Sequence, residues 1–245
     1  MIGGKSVPAN WDNQRWLKSA RKLVSRINKE VCLTMLVIRH SHRDDSKDPA
    51  KLLMKRLTPL GHQMAAEFGS RLSPIRELEL YYSNHPRCIE TAEGFLKGFE
   101  ARGGRGQMKT DIRVLLGPFG SGERIGTEMM AQGGPAFVNQ WAKGTLPKET
   151  IEPISDFKSR FISETIGRLS DANDGTIQCY VTHDLVLMGA KVALFGLTAA
   201  PANWCPFLGG FLGILEGDDI LFFDAETTTE YRIGIDSYKQ FLTRI

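Results

Sequence analysis

Two arginines and two histidines fall within five residues at Arg39-His40-Ser41-His42-Arg43. Guanidinium forks match the oxygens of a dianionic oxyanion, and an imidazole beside them could act as a nucleophile. Residues of the same character recur later as Arg87 and as the adjacent pair His183-Asp184. Three arginines converging without a matching set of carboxylates would repel one another, so such a pocket calls for an anion. Phosphate suits it, because bidentate forks fit tetrahedral oxygens and neutralise the charge that builds during transfer. His40 is the candidate nucleophile, its ring oriented by a hydrogen bond from its other nitrogen to the backbone. His183 could donate to an equatorial oxygen of the transferring group, and Asp184 is a suitable proton donor to the leaving oxygen.

Each of these groups stands at the end of an apolar run. Met35 to Ile38, Leu78 to Tyr82 and Thr176 to Val181 read as strands, and ligands bind at the carboxyl ends of strands in open α/β sheets. A helix pattern follows each strand. One starts at Thr58-Pro59 and runs to about Leu72, one runs from Pro86 through Phe99, and one from Leu185 to Phe195. This recurrence argues an α/β fold, a three-layer sandwich whose mainly parallel sheet carries helices on both faces. Ile214 to Leu221 reads as two strands turning at Gly217-Asp218. Residues 11–29 form an amphipathic pattern, so residues 1–30 are expected as an amino-terminal helix docked on the domain. Residues 31–245 are expected as a single domain with an irregular inserted lobe at about 98–152. Glycines at 103–106 and 117–122 break that lobe, which holds a short helix from Pro135 to Ala142. Ser155 to Leu169 returns to helical periodicity.

The 245 residues are 42% hydrophobic and 24% charged, which is enough for one sizeable core and excludes a disordered chain. A net charge of +3 is too weak to argue nucleic-acid binding. The four cysteines show no CxxC pair and no metal-ligand spacing with histidine, and three lie in or beside apolar segments. Glycine-rich stretches show neither GxGxxG after a strand nor a Walker ending, so no cofactor and no metal is expected. No apolar run is long enough to span a membrane, and Met1-Ile2-Gly3-Gly4-Lys5 lacks a leader-like apolar core. The expectation is a cytoplasmic protein with neither membrane nor nucleic-acid partners, a homodimer being left open.

Four motifs in order give the chain a resemblance to the histidine phosphatase superfamily, the phosphoglycerate-mutase-like fold. Arg39-His40-Ser41 resembles its Arg-His-Gly signature, and Leu57-Thr58-Pro59-Leu60-Gly61-His62-Gln63 resembles its Leu-Thr-x-x-Gly-x-Gln segment. Ser83-x-x-x-Arg87-x-x-x-Thr91-Ala92 is similar to the second-arginine motif, and Val181-Thr182-His183-Asp184 to the late histidine motif. The resemblance implies a phosphate pocket of Arg39, His40, Arg87 and His183, with His40 phosphorylated during turnover. Arg43 and Asp184 are similar to the extra arginine and the acidic partner of the acid-phosphatase branch. Two departures stand out: Ser41 replaces the usual glycine, and Asp44-Asp45 stands where a proline is expected.

Further candidates carry competing readings. Ser41 could shape the pocket loop. His42 could line the pocket mouth or stand inert, and His85 could touch phosphate or cap the following helix. Glu123 could take the mutase branch's glutamate role, though a surface residue in a glycine-rich loop is the simpler reading. Glu90 reads as a helix-surface carboxylate, and Cys88 as a packing residue with no Cys-x5-Arg signature. Lys47, Lys51, Lys55 and Arg56 could attract an acidic substrate or belong to a solvated loop. The expected activity is a metal-independent phosphomonoesterase acting on a phosphorylated small molecule or phosphoprotein. The alternatives are a phosphomutase, a protein phosphohistidine phosphatase, or an inactive module that binds phosphorylated ligands.

Overall fold

Alternation along β1 (Thr34–Arg39) sets the architecture. Met35 and Val37 enter one apolar core while Leu36 and Ile38 enter a second, and all four are fully buried. Side chains alternate across a strand, so one that is apolar on both sides must be covered on both faces. β4 (Ile177–Thr182) divides in the same way, with Tyr180 in the first core and Ile177, Cys179 and Val181 in the second. The computed structural model describes residues 10–46 and 54–238, so Lys47, Lys51 and the start of the chain lie outside the described residues.

β2 (Glu77–Tyr82), β3 (Arg105–Asp111), β5 (Gly210–Glu216), β6 (Asp219–Asp224) and β7 (Thr229–Gly234) complete a seven-stranded sheet. Its order is β3-β2-β4-β1-β5-β6-β7. The first four strands run parallel, and β5, β6 and β7 each run antiparallel to the strand before them in that order. Register places the site. Arg39 lies beside Thr182, and Tyr82 beside Val181, so residues 40, 83 and 183 leave the sheet at one edge.

One face carries α1 (Lys18–Ile27), α2 (Pro59–Arg71) and α3 (Pro86–Glu100). The other carries α4 (Arg113–Leu116), α5 (Gly122–Gln132), α6 (Gly134–Ala142), α7 (Ile154–Glu164) and α8 (Asp184–Phe195). Thr58 caps α2 by accepting from the Gly61 amide at 3.0 Å, with Pro59 in the first turn. α2 and α3 approach closely at Gly98, where an added Cβ would stand 1.9 Å from the Ala66 carbonyl oxygen.

Arg76 fastens the far end of the sheet. Its Nε donates to the Gly175 carbonyl at 2.7 Å, and Nη1 donates to those of Ile27 and Glu30, both at 3.3 Å. Nη2 donates to Cys32 at 2.5 Å, to Thr176 at 3.1 Å and to the Thr34 hydroxyl at 2.9 Å. One buried guanidinium thereby ties the end of α1 to the starts of β1 and β4.

Several elements differ from the sequence expectation. Residues 11–17 form two 3-10 turns before α1, because Asn10 caps Asp12 and Arg21 holds the carbonyls of Trp11 and Gln14. The segment expected as one helix from 155 breaks after Glu164, where the Thr165 hydroxyl bonds back to the Phe161 carbonyl and a 3-10 helix follows. Residues 98–111, expected within an inserted lobe, instead complete α3 to Glu100 and supply β3 to the sheet. β3 is largely polar because it is an edge strand, which hides it from an apolar-run search. Among the described residues, no helix is long and apolar enough to cross a membrane.

Candidate active site

His40 leaves β1 as a residue only 2% exposed, its Nδ1 2.8 Å from the Ser41 carbonyl oxygen. A carbonyl only accepts, so Nδ1 carries the hydrogen. Burial holds the His40 imidazole well below its ordinary pKa, and His183, Arg39 and Arg87 push the same way. A neutral ring protonated at Nδ1 leaves the Nε2 lone pair available. That is the form a nucleophile requires.

Arg39 lies beside it. Nη1 donates to the Cys205 carbonyl at 3.0 Å and Nη2 pairs with Asp184 Oδ2 at 2.8 Å. The Arg39 guanidinium sits 4.4 Å above the Phe207 ring, a cation–π contact. Arg87, in the first turn of α3, donates from Nη2 to His183 Nδ1 at 3.1 Å. Because arginine only donates, His183 Nδ1 is the bare nitrogen and Nε2–H donates to Ser83 Oγ at 3.0 Å. Burial, Arg87 and His85 keep the His183 ring well below its ordinary pKa. The His40 and His183 ring centroids are 5.5 Å apart.

His183 therefore buttresses Arg87 in this arrangement. Donation to an oxyanion, the role expected from sequence, would require the ring to give up one of these two contacts. Arg43 is buried, donating to the Asp44 carbonyl and to Asp45 Oδ1, both at 3.1 Å. The Nε groups of Arg39 and Arg43 are buried without a hydrogen-bond partner among the described residues. Asp184 opens α8, with Oδ1 accepting from the Leu185 amide at 2.9 Å and Oδ2 facing the Trp204 indole nitrogen at 3.4 Å.

The remaining candidates separate. Ser41 avoids positive φ, and its hydroxyl donates to the Gly61 carbonyl at 2.7 Å while its amide donates to Thr91 Oγ1 at 2.9 Å. The side chain that departs from the family pattern thus stitches the loop to α2. His42 is tied to Thr58 Oγ1 at 2.8 Å, and its ring packs between Trp16 and Phe207. His85 occupies the cap position of α3 without a capping side-chain bond, its ring edge-on to His183 at 5.2 Å. Glu123 is exposed in the first turn of α5. Glu90 is not a surface carboxylate: it is 7% exposed, pairs with Arg56 and accepts from the Leu57 amide at 2.8 Å. Burial pushes the Cys88 thiol up to about 12, which disfavours a thiolate there. Among the described residues, no three His, Cys, Asp or Glu side chains are grouped to hold a metal ion.

The sequence reading missed the segment 203–207. It offers no periodicity, and its contribution to Arg39 is a carbonyl oxygen and one ring face. The available signal was the placing of two aromatic residues, Trp204 and Phe207, around Pro206 just before Gly209-Gly210.

Two imidazoles held neutral by burial make stability pH-dependent. The unfolded chain binds more protons than the native one below the ordinary histidine pKa of about 6.5, so stability falls as pH drops from there. We expect a loss of up to about 1.4 kcal/mol per pH unit per ring. Denaturant melts between about pH 6.5 and 5 check this, and a His183→Asn variant should show a shallower slope than wild type.

A sequence profile of the histidine phosphatase superfamily (branch 1) matches residues 35–208, more than half of the chain, and the chain belongs to that superfamily. Solved structures of the same fold include a phosphoglycerate mutase from Bacillus anthracis str. Sterne, with a TM-score of 0.52 and 15% identity. That alignment covers 89% of this chain and 98% of the mutase. YhfR from Bacillus stearothermophilus aligns with a TM-score of 0.50 and 22% identity, over 82% of this chain and 96% of that one. A phosphoserine phosphatase mutant from Entamoeba histolytica, in complex with phosphoserine, aligns with a TM-score of 0.50 and 16% identity. It is covered over 94% of its length by 78% of this chain. At these identities the likeness is one of fold. Among curated proteins, none matches the sequence. Family membership supports a phosphatase- or mutase-type function.

Proposed function

We propose that the protein is a phosphomonoesterase working through a phosphohistidine on His40. The observation that carries this reading is the His40 ring itself: buried, neutral, hydrogen-bonded through Nδ1 to Ser41, and flanked by Arg39 and Arg87. The orphaned Nε donors of Arg39 and Arg43 suit an entering oxyanion. In the first step His40 Nε2 forms a bond to phosphorus, the ester P–O bond breaks, and the departing oxygen takes a proton from Asp184, which acquires it from solvent once the entering oxyanion has replaced it on Arg39. In the second, water attacks phosphorus, Asp184 takes the water proton, and the P–N bond breaks to release inorganic phosphate. The arginines neutralise charge in both steps, and the scheme calls for no metal. The Asp184–Arg39 ion pair is compatible with this sequence of events, because an entering dianion offers Arg39 a stronger partner and frees the carboxyl group. Three buried free thiols, Cys88, Cys179 and Cys205, agree with a reducing, cytoplasmic setting.

The test is a phosphate-release screen over many phosphoesters, followed by rapid quench with the best labelled substrate. We expect protein-bound label on His40 that survives base and is lost in acid. Phosphate release without any phosphoprotein, under conditions where chemistry precedes hydrolysis, would overturn the covalent route.

A further inference from the structure

Behind Arg39 lies a buried group of charges that the reaction scheme does not use. Lys191, on α8, is fully buried, with Nζ 2.7 Å from Asp224 Oδ1 and 2.9 Å from Glu226 Oε2. Burying such a cluster costs desolvation that an apolar substitute would avoid, so its presence calls for a role. Burial pushes the Glu226 carboxyl up to about 7, against the pull of Lys191. Beyond one another, Lys191 and Glu226 touch the segment 203–205, while Asp224 Oδ2 accepts from the Thr227 hydroxyl at 2.7 Å. Lys191 Nζ is 3.5 Å from the Asn203 carbonyl oxygen and 3.7 Å from Cys205 Sγ. Cys205 Sγ in turn stands 3.5 Å from Glu226 Oε2.

The same segment supplies the contacts that hold the site's charged pair. The Cys205 carbonyl accepts from Arg39, the Trp204 indole faces Asp184, and Phe207 lies beneath the Arg39 guanidinium. The Leu208 amide then bonds to the Arg39 backbone carbonyl at 3.1 Å, with Leu208 in the left-handed region at φ 57°. Asp184 and Lys191 are seven residues apart, two turns along one face of α8. Residues 203–205 are therefore held against that face at two places, Trp204 at Asp184 and Asn203 with Cys205 at Lys191. Directly after the segment, the chain passes so close to Glu226 that a Cβ on Gly209 would stand 2.6 Å from Oε1.

We propose that Lys191, Asp224 and Glu226 are positioning residues: by clamping the 203–207 segment against α8 they set where Arg39 meets the oxyanion. The proposal rests on the reading of Arg39 as a phosphate ligand. Glu226→Gln keeps the shape and removes one charge, and Lys191→Met removes the ammonium. Binding of orthovanadate, which requires no turnover, is measured by calorimetry alongside kcat/KM on the best ester. We expect Glu226→Gln to weaken vanadate binding and lower kcat/KM, each by about tenfold, while the chain stays folded. In an Arg39→Lys background, the same change should alter vanadate binding by less than about twofold, because the effect passes through Arg39. A lowered melting temperature with wild-type vanadate affinity would reduce the cluster to a structural role and overturn the proposal. So would factors that simply multiply in the double variant. Should Lys191→Met fail to fold, Glu226→Gln carries the test. A wild type that hydrolyses no ester would sink the phosphatase reading, while vanadate binding would still decide this one.

Discussion

We expect His40→Ala to lower phosphoester hydrolysis by at least about 10³-fold, because under the proposed route the covalent intermediate forms on His40. Cys88, the nearest chemical substitute in the sequence, is buried with its thiol pushed up to about 12. The variant should fold normally, since the lost ring hydrogen-bonds to the carbonyl of the next residue rather than to a distant element. Phosphate release from a common substrate, measured beside thermal melts of both proteins, checks both halves. Equal rates from the two proteins would remove His40 from the mechanism. Vanadate binding should fall less steeply than rate, because Arg39 and Arg87 remain to grip the oxygens.

Arg76→Met unfolds the protein more readily by about 4 kcal/mol, which for a domain of this size is a drop of roughly 10 °C in melting temperature. The guanidinium serves five carbonyl groups and one hydroxyl at the junction of α1, β1, β2 and β4. Methionine fills much of the space and satisfies none of them, so buried acceptors lose their donor without gaining water. Catalysis in the folded fraction should stay near wild type, since Arg76 lies at the opposite end of the strands from Arg39. Differential scanning calorimetry and initial rates at low temperature separate the two effects. A melting temperature within a degree or two of wild type would show that the carbonyls find other partners.

The sheet centre was legible in the sequence because β1 and β4 are buried on both faces, and their apolar runs end abruptly at the polar residues of the site. Thr58-Pro59 and Pro86 marked helix starts by local chemistry alone, and α2 and α3 begin there. β3 and β7 were hidden for the opposite reason: edge strands need bury little, so Arg105–Asp111 and Thr229–Gly234 carry polar residues that resemble loops. Glu90 was misread because helical spacing gives the face of a residue but not what covers it; the Arg56-Leu57 segment covers this one. The His183 tautomer was also beyond reach, since it depends on Arg87 and Ser83 arriving from another strand and helix.

The antiparallel strand beside β1 carries a consequence for dissecting the molecule. The segment that cradles Arg39 immediately precedes β5, and Asp224 and Glu226 lie beyond the stretch matched by the family profile. A fragment cut after α8 would retain every recognisable signature letter yet lack the floor on which its first arginine rests. Minimal catalytic units for this fold should accordingly be delimited by what supports the motifs, and trimming to the motifs alone would yield a chain that is complete in spelling and empty in chemistry.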